Sequence, residues 1–345
     1  MRALPSFIVS TTSFGLLLLA GVAAAAEPFS WSQPVDDPIH TPAELVESMH
    51  SAFGYNHCRA VHAKGIILQG EFTPDTHAKE ITKAPHLQGS SSKVTVRFSD
   101  FSGVPTIPDN DPMANPRGLA IRFELPGGAS TDLVAHSFNG FPVSNPDDLR
   151  ELMLAIAASG PCAATPTALD RFLELHPRAR AFLAAQKTPA SFATISYYGV
   201  GSFKFINAKG EGNYVRYQLV PEAGEQLLTD EEREKRSANY LMNEIKARMA
   251  AARIGFALYA QLAEHGDRIN DPSIAWPDKR KRVLLGRLEI KRLTANTAQE
   301  DRMLVFDGSN VPTGIETADL LSSFYAKAFR LSAKEEQDVA AVAEN

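Results

Sequence analysis

Short runs of alternating apolar and polar residues, separated by turn formers, occupy most of the chain after residue 64. Residues 65–72 are apolar through Ile66, Ile67 and Leu68 and stop at Thr73-Pro74. Residues 93–98 carry Val94, Val96 and Phe98 on one face of a period-two pattern. Residues 118–125 alternate and meet Pro126-Gly127-Gly128, and residues 132–138 form a fourth run. Four more follow after an interval: 202–206, 213–219, 255–262 and 283–290. Period two with turn residues between the runs predicts antiparallel strands. Eight such strands can close into a barrel just wide enough to be filled by side chains.

Helical signals frame these runs. Thr41-Pro42-Ala43-Glu44 has a capping residue, a proline at the first helical position and an early acid. Leu45, Met49 and Phe53 follow at helical spacing before Gly54. Pro146 opens a second helix, with Leu152, Leu154 and Ile156 as core candidates. Residues 167–173 and 177–186 suggest two more. Thr229 caps a charged helix expected to run to about Ala251, and residues 318–329 form another near the C-terminus. The expected fold is α+β: an eight-stranded antiparallel barrel with inserted and C-terminal helices. No internal repeat is visible.

Composition narrows the setting. Residues 1–26 have a positive start (Arg2), an apolar run containing Leu16–Leu19, and Ala24-Ala25-Ala26 before Glu27-Pro28. This is the pattern of a cleaved export signal, with an apolar core too short for a stable span. The expectation is a periplasmic protein cleaved after about Ala26, with residues 27–345 as one domain. A net charge of −5 argues against a nucleic-acid partner, which wants a basic face. Two cysteines, Cys58 and Cys162, allow at most one bridge, and whether they pair is open.

The chemistry concentrates at Arg59-Ala60-Val61-His62-Ala63-Lys64-Gly65, immediately before the first apolar run. One imidazole can take a proton from one oxygen and return it to another, because its ordinary pKa is near ~6.5. Metal binding by His57 with His62, five apart, fits no helix face. Three further segments follow in order: Val96-Arg97-Phe98-Ser99, Asn115-Pro116-Arg117-Gly118-Leu119-Ala120, and Asp132-Leu133-Val134.

Together these four segments resemble the haem catalase superfamily, over about 75 residues. The short chain and Val134-Ala135-His136-Ser137-Phe138-Asn139-Gly140-Phe141 resemble its small catalase-related peroxidases. The resemblance implies haem b (iron protoporphyrin IX) with His62 as acid and base on the open side of the iron. Ser99 would orient His62. Arg59 and Arg97 would meet the propionates, arginine being the cation that pairs bidentately and stays charged when buried. Val61, Phe138 and Phe141 would lie against the haem, and Arg117 would serve the turn before its strand.

Tyr325 would be the iron ligand, as tyrosinate is in catalases. Two departures stand out. The family arginine four residues before the tyrosine is Leu321 here, with Arg330 or Lys327 as distant substitutes. The family's distal asparagine falls on Ser137 in an ungapped reading, flanked by His136 and Asn139. Both departures favour a peroxidase, using a peroxide and a small electron donor, over a catalase. The alternatives are a hydroperoxide isomerase or dehydratase, a weak catalase, or a non-catalytic barrel carrying haem or lipid.

Overall fold

The structure, a computed structural model, describes residues 37–343 except residue 296. The expected export signal lies outside the described residues. Strands β1 (Gly65–Pro74), β2 (Ser92–Ser99), β3 (Gly118–Glu124) and β4 (Ser130–His136) form one antiparallel meander. Strands β5 (Tyr197–Ile206), β6 (Gly212–Pro221), β7 (Ile254–Leu262) and β8 (Arg282–Leu293) form a second. Two seams close the barrel and they are unequal. β8 pairs with β1 from Leu68↔Leu293 to Pro74↔Gly286. β4 meets β5 at a single pair, His136↔Tyr198. Past that point β5 pairs instead with β9 (Ile315–Thr317), a strand that carries no clear period.

Helices α1 (Pro42–Phe53), α2 (Ala78–Ile81), α3 (Pro146–Ala157), α4 (Ala168–Leu175) and α5 (Pro177–Ala184) surround the first meander or follow it. Then come α6 (Asp230–Glu234), α7 (Tyr240–Ala251), α8 (Thr297–Met303) and α9 (Leu320–Ala343). Helix α1 begins as its sequence indicates. Thr41 and Glu44 make a reciprocal capping box, and Gly54, at φ 85°, ends it with its N–H on the His50 carbonyl. Among the described residues no helix is long and apolar enough to cross a membrane. Cys58 and Cys162 are both free thiols, one half-buried and one exposed.

One expected helix is two. The 229–251 segment breaks between α6 and α7. There the Ala238 carbonyl accepts from the Asp109 backbone N–H (2.7 Å) and from Lys64 Nζ (3.1 Å). Asp109 Oδ2 in turn accepts from the Leu241 N–H at 2.7 Å and caps α7. Asp109, 132 residues from Leu241, and Lys64, 174 residues from Ala238, use the groups that an uninterrupted helix would bond internally.

The barrel interior is solid. Phe98 stacks on Phe192 with ring centroids 5.2 Å apart, beside Tyr197 and Phe256. Leu68, Val96 and Ile121 fill the same core. A second core joins Leu45 and Met49 of α1, Leu149 and Leu152 of α3, and Phe324 of α9 to Val61 at the mouth of β1. The site therefore lies outside the barrel, between its wall and these helices.

His86 lies in the barrel-side core, its ring 4.8 Å from Phe123 and its Nδ1 without a partner among the described residues. Burial pushes its pKa down to about 4. The unfolded chain, titrating near 6.5, then binds more protons between those values. The stability is present above about pH 6.5 and lost as pH falls towards 4. His86→Leu is expected to flatten the acid limb by up to about 1.4 kcal/mol per pH unit, read from urea midpoints between pH 7 and 4. An unchanged slope would refute this.

Candidate functional site

His62 sits just before β1 with φ 57°, a left-handed conformation that costs a non-glycine residue on the order of 1–3 kcal/mol. Its backbone is clamped on both sides. The N–H donates to the Phe101 carbonyl (2.7 Å), and Arg97 Nη2 donates to the His62 carbonyl (2.8 Å). The ring is fixed too. Nδ1 lies 3.0 Å from Ser99 Oγ, and Phe101 meets the imidazole edge-on at 5.5 Å. Ser99 Oγ is thus the hydrogen-bond partner of His62 Nδ1. With Nδ1 committed, Nε2 is the nitrogen left for chemistry.

Gly118 makes this fit possible. A Cβ on it would fall 2.4 Å from Ser99 Oγ and 2.8 Å from His62 Nδ1. Burial, then the charges of Arg97, His136 and Arg59, lower the His62 pKa to about 3. The imidazole is a neutral base at working pH.

His62 faces a cavity of about 340 Å³ whose walls come from far-apart segments. Met49 of α1, Val134 to His136 of β4, Leu152 of α3, Phe182 of α5, and Tyr325 with Leu321 of α9 all reach it. Tyr325 packs its ring against Phe141 (5.4 Å) and Phe329 (5.6 Å). Its hydroxyl is buried without a hydrogen-bond partner among the described residues, and burial raises its pKa. No cation among the described residues offsets this. Leu321 lines the cavity one turn earlier, Arg330 pairs with Asp307, and Lys327 is exposed. Neither of the distant substitutes compensates.

A smaller cavity of about 90 Å³ shares Val61, His62, Val134, Ala135 and Phe329 with the larger one and is lined by Arg59 and Arg97. Both arginines come to the same end of the site. Arg97 leaves the face of β2 opposite to Val94, Val96 and Phe98, over Gly65, which has no side chain to block it. Both guanidiniums already hold carboxylates that the sequence did not single out. Asp301 of α8 pairs with Arg97 (Nη2–Oδ2 3.0 Å), and Glu336 of α9 with Arg59 (3.0 Å). Burial pulls Asp301 upward, and Arg97 and Arg59 more than offset it, so its carboxyl stays ionised.

Two expected positions move. Ser137 does not face the cavity; its Oγ accepts from the Arg117 backbone N–H at 2.8 Å. His136 faces it instead, because it ends β4 on the side turned to the helices. Phe138, beyond the strand end, packs on Phe182 at 4.9 Å and is not among the cavity-lining residues, whereas Phe141 is. Arg117 does hold the turn before β3, through Asp100 and the Ala114 carbonyl.

Gly118→Ala tests the three-way fit. The added methyl forces Ser99 or His62 to move, and overpacking of this kind costs about 1–3 kcal/mol, read as a lower denaturant midpoint. A variant as stable as the parent would refute the close approach.

Comparison with known proteins agrees with this geometry. The Catalase family model matches residues 55–322, ending just short of Tyr325. A catalase-related peroxidase of Mycolicibacterium paratuberculosis is 34% identical over 81% of this chain and 89% of its own length. One from Synechococcus elongatus is 32% identical over 85% and 87%. A solved bacterial catalase superposes with a TM-score of 0.70 at 21% identity, covering 81% of this chain, which spans 57% of that structure's length. The chain belongs to the catalase family.

Proposed function

We propose that this protein is a haem-dependent peroxidase that reduces hydrogen peroxide or organic hydroperoxides with a small electron donor. Family membership implies haem. The observation that carries the reading is Tyr325, whose buried, partnerless hydroxyl lies in the same cavity as the Ser99-anchored His62. A phenol cut off from water and given no hydrogen bond is costly. Tyr325 would be the residue to hold a haem iron, and a ferric ion there would stabilise the phenolate.

The other walls fit the same group. They are mostly aliphatic and aromatic, with Val61 and Phe141 among them, and Arg59 and Arg97 at one end suit two propionates. Among the described residues no cysteine lines either cavity, which favours the unattached haem b. The apolar run ending at Ala24-Ala25-Ala26 supports export to the periplasm.

When bound, the haem iron supplies the centre at which a peroxide O–O bond is polarised and cleaved. The chain's own residues handle the protons. Neutral His62 accepts the proton of the inner peroxide oxygen and returns it to the departing oxygen. Ser99 keeps Nδ1 engaged so that Nε2 stays available. Leu321 leaves Tyr325 without a cationic neighbour. This departure supports peroxidase over catalase chemistry.

His62→Ala should retain haem, seen as an unshifted Soret band, and lose about 10²–10⁴-fold in peroxide turnover with a chromogenic donor. Unchanged turnover would sink the acid–base role. Tyr325→Phe should lose haem or shift the charge-transfer band of the ferric protein, and an unaltered spectrum would eliminate Tyr325 as the ligand.

A further inference from the structure

The two arginines at the end of the site are neutralised from behind. Arg59 and Arg97 both line the cavity of about 90 Å³, whereas Asp301 and Glu336, the carboxylates that pair with them, do not. Arg97 donates through Nε and Nη2 to Asp301, and Arg59 through Nε to Glu336 at 3.0 Å. No side chain of the four is more than 15% exposed, so two cations and two anions cancel largely out of reach of water. The carboxylates are not equivalent. Asp301 meets Arg97 with both oxygens and stays ionised. Glu336 meets Arg59 through one oxygen, and burial outweighs that arginine and holds its carboxyl above the ordinary carboxylate range. The charges acting on Glu336 come from three other places: Arg59 ahead of β1, Arg97 of β2 and Asp301 of α8. Cys58 also faces it, as a thiol that burial keeps protonated, and burial keeps His62, beside the same arginines, neutral.

A cluster that is already neutral must absorb two further negative charges when a pair of propionates docks against it. Like charges brought together favour the protonated form of the least firmly held carboxyl, the more so away from water. Resting on the haem reading above, we infer that Glu336 takes up a proton from solvent as the propionates dock, so that cofactor capture is coupled to pH. The proton sits on a Glu336 oxygen, and the charge of Arg59 is left for a propionate. The sign follows by linkage. The bound state holds the extra proton, so Glu336 favours capture as pH falls, and that contribution is lost as pH rises through its haem-bound pKa. Tyr325 acts in the opposite direction, because its phenol gives up a proton on meeting iron. The two effects are separable, since only the first depends on the propionate charges.

The test counts protons. The full chain, freed of haem, is titrated calorimetrically with ferric haem and, separately, with its dimethyl ester, which lacks the propionate charges. Buffers of different ionisation enthalpy are used between about pH 6 and 8, and the slope of binding enthalpy against buffer enthalpy gives the protons exchanged. Tyr325 contributes equally to both porphyrins and drops out of the difference. Haem should take up more protons than the ester, by up to about one, and Glu336→Gln should abolish that difference. Near pH 8 the same variant should bind haem at least about threefold more tightly than the parent and the ester no differently. Equal counts for haem and ester overturn the inference on the parent chain, without any variant. A difference that persists in Glu336→Gln overturns it too, because the proton then sits on a propionate or on His62. If neither porphyrin binds, seen as no shift of the Soret band, the haem reading itself falls, a result distinct from both.

Discussion

A guanidinium that water does not reach ties together the strand ends around His62. Arg117 is fully buried, paired with Asp100 and bonded to the carbonyls of Ala114 and Asp109. Lys64 reaches into the same network through Asp109 and the Ile107 carbonyl. Asp100 follows Ser99, Arg117 precedes Gly118, and Lys64 lies two residues after His62. Each member of the His62–Ser99–Gly118 contact is therefore held within two residues of this network. Removing one partner of such a buried pair leaves an uncompensated charge, which costs more than the intact pair contributes. The network acts through geometry: it fixes where the strands end, and so where an imidazole, a hydroxyl and a glycine meet.

Charge is distributed unevenly along the site. At one end two arginines are matched by Asp301 and Glu336, carboxylates that come from the C-terminal helices and bind the barrel wall to them. On the proposed reading, a haem propionate would join an existing ion cluster there. At Tyr325 no cation among the described residues acts on the phenol, and burial alone raises its pKa. Burial meanwhile holds the imidazoles of His62 and His136 neutral at working pH.

Local signals read well from the sequence. The period-two runs are the eight barrel strands, and Thr41 with Glu44 caps α1, because alternation and capping are settled within a few residues. His62 and Ser99 were legible for a related reason, since each sits at a strand boundary marked by its motif. Features set by distant partners were not legible. The break before α7 depends on Asp109, which nothing in residues 229–251 records. His136, Ser137 and Phe138 are adjacent in sequence, and the end of the β4–β5 pairing decides which of them faces the cavity. Asp301 and Glu336 read as ordinary charges on helices, and only the arriving arginines give them a role.

Among the elements that line the cavity are, in chain order, α1, the mouth of β1, β4, α3, α5, β5 and finally α9. The barrel needs nothing from α9 to close its own sheet, since both seams lie upstream of it. Every strand of the sheet therefore precedes in sequence the helix that supplies a cavity wall, Tyr325 and the Glu336 partner of Arg59. Domains of this size acquire structure in stages, and here the order of the stages is written into the connectivity. On the proposed reading of Tyr325 as the iron ligand, a chain ending before residue 320 has every barrel strand and lacks that ligand.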